Sequence, residues 1–274
     1  VRVVPACLAD VAALAGRLGR ALLPLCDRCQ VCRGLLPGAG GGGGAGAGSW
    51  HGGIGGKKSP VCPVCAPGLA PRCGGFCPRC GAFAVDADAP PELCLDCRHG
   101  GRVWDGFAFH GRYEGLLREL VLGFKFSGRL GQGRLLAGFL AEAWQRAAGR
   151  HGPGSMDAGA PDCLVPVPLH PRRLSWRGFN QSLELARLLG RELARPVCPA
   201  GLLRVRDTIP QSRLPGRKRL TNLAGAFTGQ ARLVAGRHVL LIDDVMTTGA
   251  TVETAVRALR QAGAARVDVT VVAR

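Results

Sequence analysis

Apolar and polar positions give the chain two textures. From about residue 103 onward, short apolar runs alternate with stretches in which apolar residues return every three or four positions. CLVPVPL (163–169), RHVLLID (237–243) and RVDVTVVA (266–273) read as strands buried on both faces. RVWDGFAFHGRY (102–113) reads as a strand and turn, and GLLRVR (201–206) as a further strand. Helical spacing runs through 114–126, 135–149, 179–194 and 252–263. HGPGSMDAGAP (151–161) is a linker, and 207–225 a long polar, basic loop. Strands alternating with helices predict an α/β fold, a parallel sheet with helices on both faces. Near the start, Leu8, Val11, Leu14, Ala15, Leu18 and Leu22 share one helical face, which predicts an amphipathic helix within residues 1–24.

Between these parts, residues 25–102 have little periodicity and many cysteines. Eleven of the chain's 13 cysteines precede residue 100. Four C-x-x-C pairs stand out: Cys29/Cys32, Cys62/Cys65, Cys77/Cys80 and Cys94/Cys97. Two intervening residues let a tight turn aim both sulfurs at one tetrahedral ion, and two such turns complete a site. Four pairs therefore predict two structural zinc ions. Which pairs combine is left open, because Cys26 offers an overlapping pair with Cys29 and Cys73 lies near Cys77. Cys163 and Cys198 read as small buried hydrophobes. A glycine-rich insertion, 38–56, interrupts the first unit and cannot form a core. GIGGKKS at its end is not a phosphate loop, because two lysines precede the serine and no strand leads into it. His51 is read as a solvated loop residue.

Residues 239–251, VLLIDDVMTTGAT, carry the densest chemistry. An apolar strand ends in two adjacent carboxylates, Asp243 and Asp244. Val245 and Met246 lead into Thr247, Thr248, Gly249, Ala250 and Thr251, and a helix follows. A helix N-terminus offers unpaired N–H groups and the positive end of a dipole. Small residues admit a phosphate, and paired carboxylates suit sugar hydroxyls or a hydrated magnesium ion. A helix cap alone needs one such residue, not two acids, three threonines and a glycine. The spacing resembles the phosphoribosyl-pyrophosphate (PRPP) motif of type I phosphoribosyltransferases at all thirteen positions.

Charge sharpens this picture. The formal net charge is +17, falling to about +13 if eight thiolates bind two zinc ions. Such a chain attracts polyanions. Residues 171–220 hold 12 Lys/Arg against three acids. Arginine is spread over every segment, so a compositional bias accounts for part of this. Arg187, Arg191 and Arg195, spaced by four, read as a solvated helix face. Asn180 is either a helix cap or, with Gln181, a reader of an acceptor or phosphate. No run approaches the roughly 20 apolar residues of a membrane helix. Arg17 and Arg20 interrupt the first apolar stretch, so no export signal is read and the expected compartment is the reducing cytoplasm.

VPVPLHPRRLSWRGFNQ, the PQS…RKRLTNLAGAF segment, the stretch around FKFSGR and the 239–251 signature follow one another in the order of the ComF-type phosphoribosyltransferase family, which also carries an N-terminal double zinc ribbon. The resemblance covers almost the whole chain, the glycine tract being the main departure. It implies a type I phosphoribosyltransferase fold with a hood (103–274), preceded by the zinc ribbons (25–102). It implies that Asp243 and Asp244 hold the ribose hydroxyls of magnesium-bound PRPP, and that Thr247 to Thr251 hold its 5′-phosphate. Arg172 and Arg173, with Arg177 and Lys125, would face pyrophosphate, and Arg213, Arg217 and Arg219 would belong to a lid. The implied reaction is 5-phosphoribosyl transfer to an unknown acceptor. The alternative is a non-enzymatic PRPP sensor or single-stranded-DNA-binding accessory working with DNA-uptake proteins. Trp50, Trp104, Phe107, Phe109 and Trp176 would then stack on bases.

Overall fold

The computed structural model describes residues 28–34, 53–54, 57–58, 61–126, 131–150, 159–208 and 223–274. The expected helix within 1–24, together with Cys26, Trp50, His51, Arg213, Arg217 and Arg219, lies outside them.

The strands are β1 (Gly53–Ile54), β2 (Lys57–Lys58), β3 (Phe107–Gly111), β4 (Cys163–Pro166), β5 (Leu202–Arg204), β6 (Phe227–Gly229), β7 (His238–Val245) and β8 (Arg266–Ala273). The helices are α1 (Leu95–His99), α2 (Gly115–Phe126), α3 (Gly131–Ala148), α4 (Pro171–Arg177), α5 (Gln181–Glu192), α6 (Ala231–Val234) and α7 (Ala250–Gln261). Four strands make the main sheet in the order β3-β8-β7-β4, all parallel. Register places Cys163 beside Val239, Leu241 beside Val269, and Phe107 also beside Val269.

Alternation along the strands builds two cores. Phe107, Phe109, Val165, Val239, Leu241 and Val269 turn to one face, under Val252, Val256 and Leu259 of α7. Ala108, Leu164, Leu240 and Ile242 turn to the other, under Phe124 of α2, Leu140 of α3 and Leu185 of α5. Full burial of each such Leu, Val or Phe contributes about 1.5–3 kcal/mol, the main stabilising term.

The cysteine-rich segment grips this sheet at its β3 edge, one cluster per face. Cys29 and Cys65 are buried in the core that holds α2, α3 and α5. Cys77, Cys80 and Cys97 are buried in the opposite core, beneath α7. Phe76 and Phe83 meet Phe109 edge-on, with ring centroids 5.0 and 5.8 Å apart. At the end of the glycine-rich insertion, β1 pairs antiparallel with β2, which lies just past it, two residues to each strand.

Three sequence expectations need correction. The strand expected over 201–206 does not join the sheet. Only Leu202–Arg204 is extended, and it pairs antiparallel with β6 in a separate ribbon. The segment after VPVP, for which the sequence pattern predicts no helix, contains one, α4, with no buried residue. His170 Nδ1 caps it by accepting from the Arg172 N–H, Pro171 presets its first turn, and Gly178 ends it at φ 80°. Trp104, Phe107 and Phe109 are 1, 1 and 5% exposed, so they are core residues and cannot stack on bases. Trp176, 76% exposed, remains available for stacking.

Candidate functional site

The carboxyl ends of β4 and β7 open onto one site, as ligand sites do in open α/β sheets. Asp243 and Asp244 close β7. Successive strand residues point to opposite faces, so the two carboxylates diverge. Asp244 is 7% exposed and pairs with Lys125, which reaches from the last turn of α2 to place Nζ 3.0 Å from Oδ2. Burial opposes the lysine's charge, but Asp244 and then Asp243 outweigh it and hold its pKa above the ordinary value. Asp243 Oδ1 accepts from Ser182 Oγ at 2.9 Å and from the Asp244 N–H at 2.9 Å. Burial, and then the neighbouring Asp244, push its carboxyl up to about 7, against the opposing pull of Lys125 and the two donors.

Two predictions follow from this pair. Replacing Lys125 by Met leaves a buried carboxylate without its cation, so urea denaturation should give a loss of about 3 kcal/mol. A carboxyl that ionises near 7 when folded and near 4 when unfolded holds an extra proton in the native state between those values. Its contribution to stability is therefore complete below pH 4 and is lost as pH rises through about 7. Melting temperatures of the ligand-free protein should show this fall relative to Asp243→Asn, which lacks the group.

Beyond the acids, the chain turns through Met246, Thr247 and Thr248 into α7. Gly249 stands at φ 83°, a left-handed conformation that favours glycine, with Met246 Sδ and Trp104 at ordinary contact distance, 3.5 and 3.7 Å, from where a Cβ would stand. No side chain among the described residues caps α7, and a backbone bond runs from the Glu253 N–H to Gly249 O. The preceding N–H groups thus face the cavity lined by Asp243, Val245, Met246, Thr247, Thr248, Gly249, Ala250, Thr251 and Val252. Thr247 and Thr248 are exposed. A bound phosphate could take up these donors.

On the other side of the acids stand the arginines. Arg173 Nη2 donates to Thr208 O at 2.5 Å, and Arg172 Nη1 to Asp207 Oδ2 at 3.3 Å. Arg177 donates to Gln181 Oε1 at 3.1 Å and lies over the Phe126 ring at 4.9 Å. Arg204, which sequence reasoning did not single out, donates to Thr208 Oγ1 at 2.5 Å. Burial, then Arg173, bring its pKa down to about 10, with Asp207 and Asp243 opposing. Burial also lowers Arg177, with Arg173 adding to the effect and Asp244 opposing it. These guanidinium groups repel one another beside the acids, and an oligophosphate anion would relieve that. Arg204 was missed because it sits in a strand-like run with nothing to set it apart from the chain's other arginines. Arg187 and Arg191 are exposed on α5, as expected, whereas Arg195, also exposed, lies past the end of that helix.

Asn180 caps α5, accepting from the N–H groups of Ser182 and Leu183 at 3.0 and 3.4 Å. Its Nδ2 donates to Val167 O at 3.1 Å, tying α5 to the end of β4. Gln181 is 2% exposed, with its Nε2 lacking a hydrogen-bond partner among the described residues.

The eight paired cysteines gather as Cys29/Cys32/Cys62/Cys65 and Cys77/Cys80/Cys94/Cys97, with the sulfurs of each set within 4.8 Å of one another. Cys32 and Cys62 sulfurs are 3.7 Å apart, as are those of Cys80 and Cys94. Four sulfurs at about 2.3 Å from a zinc ion stand about 3.8 Å apart, so either set could hold a metal ion. Backbone N–H groups of Val31 and Cys62 point at Cys29 Sγ from 3.4 and 3.3 Å. Burial opposes ionisation of that thiol, but these bonds bring it down to about 7. A hydrogen bond from Cys80 brings Cys77 to about 4 against burial. Cys73 is exposed and belongs to neither set, and Cys163 is fully buried.

Residues 180–274 match the phosphoribosyl transferase domain family. The chain is 34% identical over 215 residues to the DNA utilization protein YhgH of Salmonella typhi, covering 76% of this chain and 88% of that protein. It is 31% identical over 221 residues to competence protein F of Haemophilus influenzae, covering 79% and 91%. A Bacillus subtilis glutamine PRPP amidotransferase structure aligns with a TM-score of 0.37 at 18% identity, over 55% of this chain and 30% of that one. No helix among the described residues is long and apolar enough to cross a membrane.

Proposed function

Because the chain belongs to the ComF family of competence and DNA-utilization proteins with a phosphoribosyltransferase domain, we propose that it binds magnesium-PRPP at the carboxyl end of β7 and transfers the 5-phosphoribosyl group to an acceptor. The observation that carries this reading is the pairing of Asp243 and Asp244 with the uncapped start of α7 across Gly249. In it, Asp243 and Asp244 accept from the ribose hydroxyls, Val245 positions them, and Thr247, Thr248, Gly249, Ala250 and Thr251 receive the 5′-phosphate. Lys125 aligns Asp244 through their ion pair. Asn180 serves as the helix cap, and Gln181, whose Nε2 has no partner among the described residues, is the one of the two left to meet the acceptor or a phosphate. Each four-cysteine set takes one structural zinc ion, and residues 25–102 and 103–274 act as ribbon and transferase parts.

The C1–oxygen bond to pyrophosphate breaks with its electron pair leaving on pyrophosphate, and the acceptor's lone pair forms the new bond to C1. Positive charge grows on the ribose as negative charge departs. Arg172, Arg173, Arg177 and Arg204 stabilise the leaving anion, and Arg213, Arg217 and Arg219, outside the described residues, are the further cations assigned to it. Magnesium, bound with the substrate, supplies further charge neutralisation. The work is placed in the reducing cytoplasm, where eight thiolates persist.

A non-enzymatic role in handling single-stranded DNA, alongside DNA-uptake proteins, is the second reading. It is supported by the exposed Trp176 and by the relatives' names. Isotope-labelled PRPP incubated with a metabolite extract separates the two. The first reading expects a ribosylated product with stoichiometric pyrophosphate. PRPP that binds yet stays intact, beside salt-sensitive DNA binding, would favour the second.

A further inference from the structure

The second cysteine cluster and the phosphate loop share two side chains. Arg274, just past β8, donates from Nε to Cys80 O at 2.9 Å and from Nη1 to Thr247 O. Its stem packs on Gly81, at φ 69°, where a Cβ would come within 2.9 Å of Arg274 Cγ. Trp104, 1% exposed, donates from Nε1 to Arg79 O at 2.7 Å. The far rim of its ring lies 3.7 Å from where a Cβ on Gly249 would stand. One side chain thus bonds the loop at Thr247, and the ring of the other stands beside it at Gly249. Both are anchored on consecutive carbonyls of the turn between Cys77 and Cys80.

We propose that Arg274 and Trp104 are positioning residues that couple this cluster to the phosphate loop, so that metal in the cluster and PRPP in the cradle each raise the other's affinity. The inference rests on the PRPP reading above. Metal bonds to Cys77 and Cys80 fix the direction of the carbonyls of Arg79 and Cys80. Those carbonyls aim the indole and the guanidinium, which hold the loop with its N–H groups turned to the ligand. Without metal the turn keeps its bonds from the Cys77 N–H to Ala82 O and from the Gly81 N–H to Cys77 O, but loses four-point fixation. The first cluster lies in the opposite core and bonds instead to α3, through Gln132 Nε2 and Gln30 O at 3.2 Å. Coupling therefore belongs to the second cluster alone.

Binding linkage is reciprocal, so the readout is zinc affinity rather than turnover. Zinc-selective chelators of graded strength compete with the full-length protein, with and without saturating magnesium-PRPP. PRPP should tighten one of the two zinc equivalents by about 5-fold or more, the low end of measured coupling energies. Cys32→Ser should leave that effect in place. Arg274→Lys keeps the charge and a similar stem but replaces the Nε/Nη1 fork with a single nitrogen, and Trp104→Phe keeps an aromatic ring but removes both the N–H and the rim beside Gly249. Both should retain two zinc ions and bring the coupling towards 1. Zinc affinity indifferent to PRPP in a protein that binds PRPP would overturn the coupling and leave the functional reading standing. So would coupling undiminished in both variants. Failure of the parent protein to bind PRPP would overturn both.

Discussion

Asp243→Asn combined with Asp244→Asn is expected to abolish the rise in melting temperature that magnesium-PRPP gives the parent protein. At a hundredfold excess over its dissociation constant, a ligand that binds only the native state adds about 2.7 kcal/mol. For a domain of this size that corresponds to roughly 5–10 °C. Each amide keeps the shape of its acid and removes the charge. Two hydroxyl acceptors weaken together, and the electrostatic complement to magnesium is gone. The variant's own ligand-free baseline will fall, because Lys125 then lacks its partner, 3.0 Å away in the parent. The informative quantity is therefore the shift, measured above pH 7, where Asp243 is ionised. No shift in the parent would sink the PRPP assignment, and a full shift in the double variant would remove the acids from the site.

Cys80→Ser should cost more than any surface change. Cys80 is 1% exposed and shares a core with Phe107, Phe109, Val269 and Leu259. A structural zinc site contributes about 10–16 kcal/mol in small metal-folded units. A whole domain has only about 5–15 kcal/mol of net stability. Elemental analysis of the parent should give two zinc ions per chain, and the variant should bind one at most. Its near-ultraviolet dichroism should lose the signals of Trp104 and the packed phenylalanines. Cys73→Ser, exposed and outside both clusters, should alter neither measurement. Retention of two zinc ions and native dichroism by Cys80→Ser would refute the second metal site.

Most of the sheet and the acidic signature were legible because each carries a local pattern. Residues 237–243 and 266–273 are apolar runs of strand length, and 252–263 repeats with helical period. The four cysteine pairs announced two sites, although their partnering needed the fold to bring Cys29 and Cys32 to Cys62 and Cys65. Helix α4 was invisible because nothing in it is buried, so no periodicity was selected, and its signals are only Pro171 and Gly178. Trp104, Phe107 and Phe109 looked like a stacking surface because an aromatic residue reads alike in a core or on a face. The link from Lys125 to Asp244 spans two elements, and no spacing rule reports it.

The strand order β3-β8-β7-β4 has a consequence for a chain emerging from the ribosome. Among the described residues β3 pairs with β8 alone, and β8 is made about 160 residues later. At about 5–20 residues per second, that leaves β3 without its neighbour for about 10–30 s. Phe107 and Phe109 would stand open for that time, available to other nascent chains. The cysteine-rich segment is already outside the ribosome by then, and Phe76 and Phe83 sit against Phe109 in the finished fold. The cysteine-rich segment can thus serve as a built-in chaperone for the first strand until the last one arrives.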